Sequence, residues 1–319
     1  MSQRKKILAY TIKLSVGVLC FGIIYFRMRS AFGNNASVFG FLNDPVSLWL
    51  LAACCLFMPV NWGIEAYKWR LITKGVEPIG FWRAYGSVMA GVCTGNLAPG
   101  RSTEFVAKIL FFKPENRALI SVLHFVNGML QLSVTIVIGV LAFMVRIGDT
   151  GQAGPMIYGI LLFSGLLLLL FLLVIFRFRA LQSWLFSLKW LRPYKPEEPV
   201  ELPLRRLLML FVCSVWRYTV FVIQFFLLFA CLQVETPMSS FLCSVGIYFM
   251  LTSIVPMISI IEPAIRAAIA LFVFNMSDEE SVKLVTISTL LWLINIVLPS
   301  LIGYIIILKE KFVIKTKFT

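Results

Sequence analysis

Six stretches of this sequence, about 7–26, 46–66, 118–145, 156–176, 207–232 and 284–308, run for 20 or more residues with almost no charge. A helix needs roughly 20 apolar residues to cross about 30 Å of hydrocarbon, so each stretch is long enough to span a bilayer. Composition agrees: of 319 residues, 60% are hydrophobic and 14% charged, and the mean hydropathy is +0.90. A soluble domain is about half apolar and about a quarter charged. This chain has too little polar surface to cover a water-soluble core. It reads as an all-α polytopic membrane protein, which excludes a soluble enzyme and a disordered chain. The first run follows MSQRKK, is too long for a signal peptide and lacks a small-residue cleavage site, so it is expected to remain as a span.

Two further apolar regions are interrupted, 81–112 and 238–274. In the first, Pro99-Gly100 divides a long limb from one of about 11 residues, which as a helix reaches only about 16 Å. In the second, Pro256 and Pro263 flank MISIIE. Proline removes a backbone donor and clashes with the preceding turn. Unpaired backbone at membrane depth is tolerated only inside protein or beside a watery cavity. Both regions therefore read as re-entrant helical hairpins; two ordinary spans with proline kinks remain the alternative.

The charges orient the chain. With a cytoplasmic N-terminus and hairpins that return to the side they entered, 20 of the 29 Lys+Arg fall in cytoplasmic segments, including 68–83, and four fall outside. Five stay at membrane depth: Lys13, Arg101, Lys108, Arg217 and Arg266. That asymmetry follows the positive-inside rule and places both termini in the cytoplasm. Segment 176–206 begins with Arg and Lys among Trp, Phe and Leu and reads as an amphipathic helix on anionic lipid, followed by a proline-rich linker. The cations are spread over five cytoplasmic segments and no nucleic-acid-binding fold is present, so nucleic acid is disfavoured as a partner. Seven cysteines lie in apolar stretches without a C-x-x-C pair, and there is one histidine, so no metal site and no cofactor is expected.

The interrupted regions resemble each other. Glu77 and Glu235 are 158 residues apart, Pro99 and Pro256 157, Glu104 and Glu262 158, and Lys108 and Arg266 158. Duplication explains that spacing better than chance. The loop charges put the first region on the cytoplasmic side and the second on the outer side. The expected architecture is thus an inverted repeat, residues 1–155 and 156–319, with six full spans and two broken hairpins. Inverted repeats with discontinuous helices at the midplane are a transporter architecture.

The stretch NLAPGRSTEF followed by Lys108, with a second proline-then-glutamate element half a chain later, resembles the transmembrane family of lysylphosphatidylglycerol synthases, the flippase-like membrane proteins. The resemblance covers nearly the whole chain. It departs from the family at Ser102-Thr103, where Gly usually precedes the glutamate, and at PMISII, where the family is glycine-rich. It implies lipid translocation in a bacterial cytoplasmic membrane. It does not imply lipid aminoacylation, because this sequence ends at KEKFVIKTKFT without the synthase domain.

Ions in a bilayer are costly and face a partner or a cavity. Glu104–Lys108 and Glu262–Arg266 are each spaced i,i+4 with the acid first, the favourable order on a helix. Either each pair only neutralises itself, or the pairs line a groove. In the groove reading, Lys108, Arg266 and Arg101 hold a lipid phosphate, and Glu104 and Glu262 hold a cationic head group or a proton. Arg217, in mid-span, lines the cavity or pairs with a glutamate. His124, Asn127 and Gln131 share one helix face and read as bundle-facing. His124 and Asn127 join the candidate substrate-binding set, with proton coupling a lesser role for His124. Asn61 and Glu65 lie near the inner end of their span beside Trp62, Tyr67 and Trp69, so Glu65 is expected at the membrane interface.

The expected function is a flippase or transporter that moves an anionic or aminoacylated lipid through a charged groove at mid-membrane. The alternatives are a membrane-embedded lipid or polyprenyl transferase and a non-transporting membrane partner protein. For a transferase, no D-x-D, G-x-S-x-G or glycine-rich nucleotide loop supplies the chemistry. A homo-oligomer stays open.

Overall fold

The structure, a computed structural model, describes residues 36–96, 101–150, 155–189, 192, 199–255 and 262–310. The expected first span with Lys13, the Pro99-Gly100 and Pro256 bends, most of the proline-rich linker and the basic tail from 311 lie outside the described residues. Those described are helical, with no strand.

Helix α1 spans Pro45–Thr73. Asp44 caps it, accepting from the backbone N–H of Ser47 at 3.0 Å and the Ser47 hydroxyl at 2.7 Å, and the hydroxyl holds its carboxyl below the usual carboxylate range. Helices α2 (Phe81–Gly95) and α3 (Glu104–Leu110) follow, then α4 (Arg117–Thr150), α5 (Pro155–Phe176) and α6 (Phe178–Leu185). The later part holds α7 (Leu204–Cys231), α8 (Met238–Ile254), α9 (Glu262–Phe274) and α10 (Asp278–Trp292). A π-helical turn, Leu293–Val297, joins α10 to α11 (Leu298–Lys309).

Among the described residues, four segments are long and apolar enough to cross a membrane: Pro45–Thr73, Pro114–Gly148, Leu204–Cys231 and Glu280–Lys309. A fifth is available if Tyr158–Leu173 and Phe178–Leu185, bent by 78°, act together. These coincide with five of the six apolar runs read from the sequence. On α5, Leu162, Phe163, Leu166, Leu169, Leu170 and Leu173 are all more than half exposed, a surface suited to lipid and not to water. The chain is an all-α membrane protein.

The interrupted regions form antiparallel helix pairs. Between α2 and α3, Arg83 donates through Nε and Nη2 to the Phe111 carbonyl, and the Ser87 hydroxyl to the Lys108 carbonyl. At the other end Thr94 and Thr103 exchange hydroxyl-to-carbonyl bonds at 3.1 and 2.6 Å. With 15 and 7 residues these helices reach about 22 and 10 Å, so neither crosses hydrocarbon alone. Between α8 and α9, Arg146 Nη1 reaches both Ser244 Oγ and the Val273 carbonyl and ties the open ends together. Pro263 opens α9 as its second residue, where a missing N–H breaks no helical bond.

Element boundaries recur along the chain. Helices α1, α2, α3 and α4 start at 45, 81, 104 and 117; α7, α8, α9 and α10 start at 204, 238, 262 and 278, offsets of 157 to 161 residues. The matched helices α1 and α7 run antiparallel. Ser47 bonds Cys231 at one end, Gln224 donates to the Cys54 carbonyl, and Arg217 meets Asn61. Helix α4 packs on α8, and α11 packs on α2.

Candidate functional site

The interior charges gather around Glu65 instead of forming two isolated pairs. Helix α1 carries Asn61, Glu65 and Lys68 at i, i+4 and i+7, one face of the helix. Glu65 is 4% exposed. Its carboxylate lies 2.6 Å from Arg217 Nη1, 3.6 Å from Lys108 Nζ and 3.7 Å from Lys68 Nζ, and accepts from Asn127 Nδ2 at 2.8 Å. Lys108 also meets Glu104 at 2.7 Å, and Arg101 Nη2 lies 3.3 Å from Glu104. Arg217 Nε donates to Asn61 Oδ1 at 3.0 Å. Lys68 donates to Gln131 Oε1, and Gln131 donates to the Ser214 carbonyl. Gly91 makes room for Lys108: a Cβ there would sit 2.8 Å from Lys108 Cγ.

Glu65, expected at the membrane interface, is the buried hub of the cluster. Lys68, counted from its position among the cytoplasmic cations, is fully buried. Both sit near the end of an apolar run and beside tryptophans. Their partners Arg217 and Gln131 are supplied by helices distant in sequence.

The Glu262–Arg266 pair forms as spaced, at 2.9 Å, and stands apart from Glu65. The two halves therefore differ: the position matching Glu65 in α7 is Ile223.

Between the helices lies a cavity of about 230 Å³. Arg101, Arg217 and Arg266 reach it from three separate segments, together with Trp62 on α1, Gln131 and Thr135 on α4, Tyr218 and Phe221 on α7, Tyr248 and Phe249 on α8, and Ser288 and Trp292 on α10. Among the described residues, no carboxylate lines it. Two guanidinium groups lie over the Trp62 ring, Arg101 at 5.9 Å and Arg217 at 5.2 Å, and its buried Nε1 has no hydrogen-bond partner among the described residues. The Arg101 Nε is buried and unpartnered as well, and Arg101 holds a φ of +57°, a left-handed conformation rare outside glycine. The π-helical turn contributes Asn295, whose Oδ1 lies 3.5 Å from Asn61 Nδ2; such turns inside helices are frequent at functional sites.

The formal charge of the Glu65 cluster does not close. Among the described residues, the carboxylates that face Lys68, Arg101, Lys108 and Arg217 are Glu65 and Glu104. Two positive charges are left over, and Glu262–Arg266 adds none. An unpaired buried ion costs on the order of several kcal/mol. The arrangement suits an anion placed among the guanidinium groups, whose planar forks match phosphate and carboxylate oxygens.

Of the residues singled out in the sequence, Arg101, Gln131, Arg217 and Arg266 line the cavity. Glu104, Lys108 and Glu262 stand behind them as ion partners. Asn127 serves Glu65. His124 does not line the cavity: its ring is held among Trp69, Phe105 and Phe125 at 5.7 to 6.4 Å, and its buried Nδ1 has no partner. Sequence reasoning missed Glu65, Lys68, Trp62 and Asn295 as members of the site. The Asn61–Glu65–Lys68 stripe was the available signal for the first two. Against known proteins, the chain matches no family model and no curated protein.

Proposed function

We propose that this protein is a lipid transporter of the flippase kind, moving lipids with anionic head groups between leaflets. The observation that carries the reading is the cavity itself, with arginines from three segments, an aromatic wall and no carboxylate in its lining. A flippase must shelter a charged head group in hydrocarbon while the acyl tails stay in lipid. A volume of about 230 Å³ suits a phosphorylated head group and not a whole lipid; sites that enclose entire drug-sized ligands run to about 300–1,000 Å³. Both parts of the chain line the cavity, as expected for a carrier that alternates between two faces.

The architecture we propose for it is the inverted repeat, with six spans, two re-entrant hairpins and cytoplasmic termini in a bacterial inner membrane. The recurring helix boundaries and the antiparallel packing of α1 on α7 support it. Membership of the flippase-like lysylphosphatidylglycerol synthase transmembrane family is part of the same proposal, resting on NLAPGRSTEF and the second Pro–Glu element. Aminoacylated lipids are a further cargo under this reading.

The test is leaflet-resolved lipid movement in proteoliposomes. The wild type is expected to move anionic lipid faster than empty vesicles do, and Glu104→Gln to lose that acceleration while staying folded. Equal rates for wild-type and empty vesicles, across anionic and aminoacylated lipids, would overturn transport.

A further inference from the structure

We infer that the cavity selects a dianionic phosphoryl group, the phosphomonoester, over the monoanionic phosphodiester and over zwitterionic head groups. This rests on the anionic-lipid reading and narrows its substrate class.

The inference comes from charge. Among the described residues, the ion network around Glu65 holds four cations and two carboxylates, an excess of two; Arg101 and Arg217 of these line the cavity, and Lys68 and Lys108 lie behind it. A phosphomonoester near neutral pH carries a charge of about −1.5 to −2 and three strongly accepting oxygens. It would close the excess; a phosphodiester, with one negative charge, would leave half of it. A zwitterion would leave all of it and would bring a cation to a wall without carboxylates. Donors also match. Arg101 Nε and Trp62 Nε1 are both buried without partners on residues that line the cavity. Arg217, with a side chain 9% exposed, lies against the same Trp62 ring. To such donors a phosphomonoester offers three oxygens that carry no ester bond, and a phosphodiester two.

The experiment measures binding, so it is independent of transport. Full-length protein in neutral-lipid nanodiscs is titrated with dioctanoyl phosphatidate, dioctanoyl phosphatidylglycerol and dioctanoyl phosphatidylcholine, and with glycerol 3-phosphate and inorganic phosphate. Phosphatidate is expected to bind at least about tenfold more tightly than phosphatidylglycerol, with phosphatidylcholine weakest. Tight binding of glycerol 3-phosphate or inorganic phosphate alone would keep the dianion and assign it to a soluble source, overturning the lipid part. Two variants move the excess in opposite directions. Arg101→Gln lowers it to one and should bring phosphatidate and phosphatidylglycerol toward equal affinity. Glu104→Gln raises it to three and should widen the gap. A merely structural role would weaken all ligands alike in both variants. Equal affinity for monoester and diester in the wild type, or the same direction of change in both variants, overturns the inference even if anionic lipids are transported. Selectivity without lipid movement would retain the site and remove the carrier.

Discussion

Glu65 and Arg217 meet at 2.6 Å between helices whose sequence positions differ by 152 residues, and both are largely buried. Removing one partner of a buried ion pair strands the other. Arg217→Gln is therefore expected to destabilise the protein by about 3 kcal/mol in denaturant titration in detergent, because Lys68 and Lys108 lie a full ångström farther from Glu65. Adding Glu65→Gln should cost less than Glu65→Gln does alone, since the Glu65–Arg217 contact is lost only once. If the double variant is as unstable as the two losses added, the pair is not coupled. This residue scale is where the sequence showed least. The i,i+4 pairs Glu104–Lys108 and Glu262–Arg266 were legible because both partners ride on one helix at a spacing set by 3.6 residues per turn. Glu65 was not, because its role depends on a guanidinium supplied by another helix.

At the scale of elements, close helix approach depends on glycine. A Cβ on Gly303 of α11 would lie 2.0 Å from the Met89 carbonyl oxygen of α2, and one on Gly139 of α4 2.3 Å from Met250 Cβ of α8. Gly128, by contrast, has nothing within 4 Å of the same position. In a membrane, where no hydrophobic drive holds helices together, close backbone packing at small residues does that work. Gly303→Ala should therefore destabilise by about 1–3 kcal/mol or more, through overpacking against backbone. Gly128→Ala should be neutral or stabilise by up to about 1 kcal/mol through helix propensity. Thermal unfolding of both variants in detergent checks the contrast, and equal behaviour would remove the packing argument. Helix identity was readable from apolar run length, and the interruptions from proline and glycine. That Ser87, Thr94 and Thr103 stitch α2 to α3 was not, because each bonds a carbonyl that any residue carries.

At the scale of the molecule, helix starts recur at offsets near 158 residues, and the matched pair α1 and α7 lies antiparallel. If the two parts are oppositely oriented, the α1–α2 connection at Lys74 and the α7–α8 connection at Glu235 lie on opposite faces of the membrane. Single cysteines at these positions, in a background with the seven native cysteines replaced, should label with an impermeant maleimide from opposite sides of sealed vesicles. Labelling from one side alone would end the inverted-repeat proposal.

What the sequence determined by itself was everything that a single helix can encode. Run length set the class of protein, proline and glycine located the interruptions, and repeated spacing tied one interruption to the other. Only the tertiary structure decided that the charges share one network with two cations in excess, and that Arg101, Arg217 and Arg266 surround a common cavity. The physical reason is distance along the chain. Spacing within a helix is set by backbone geometry, whereas the partner of a buried charge is set by which helices pack together, and no local pattern carries that.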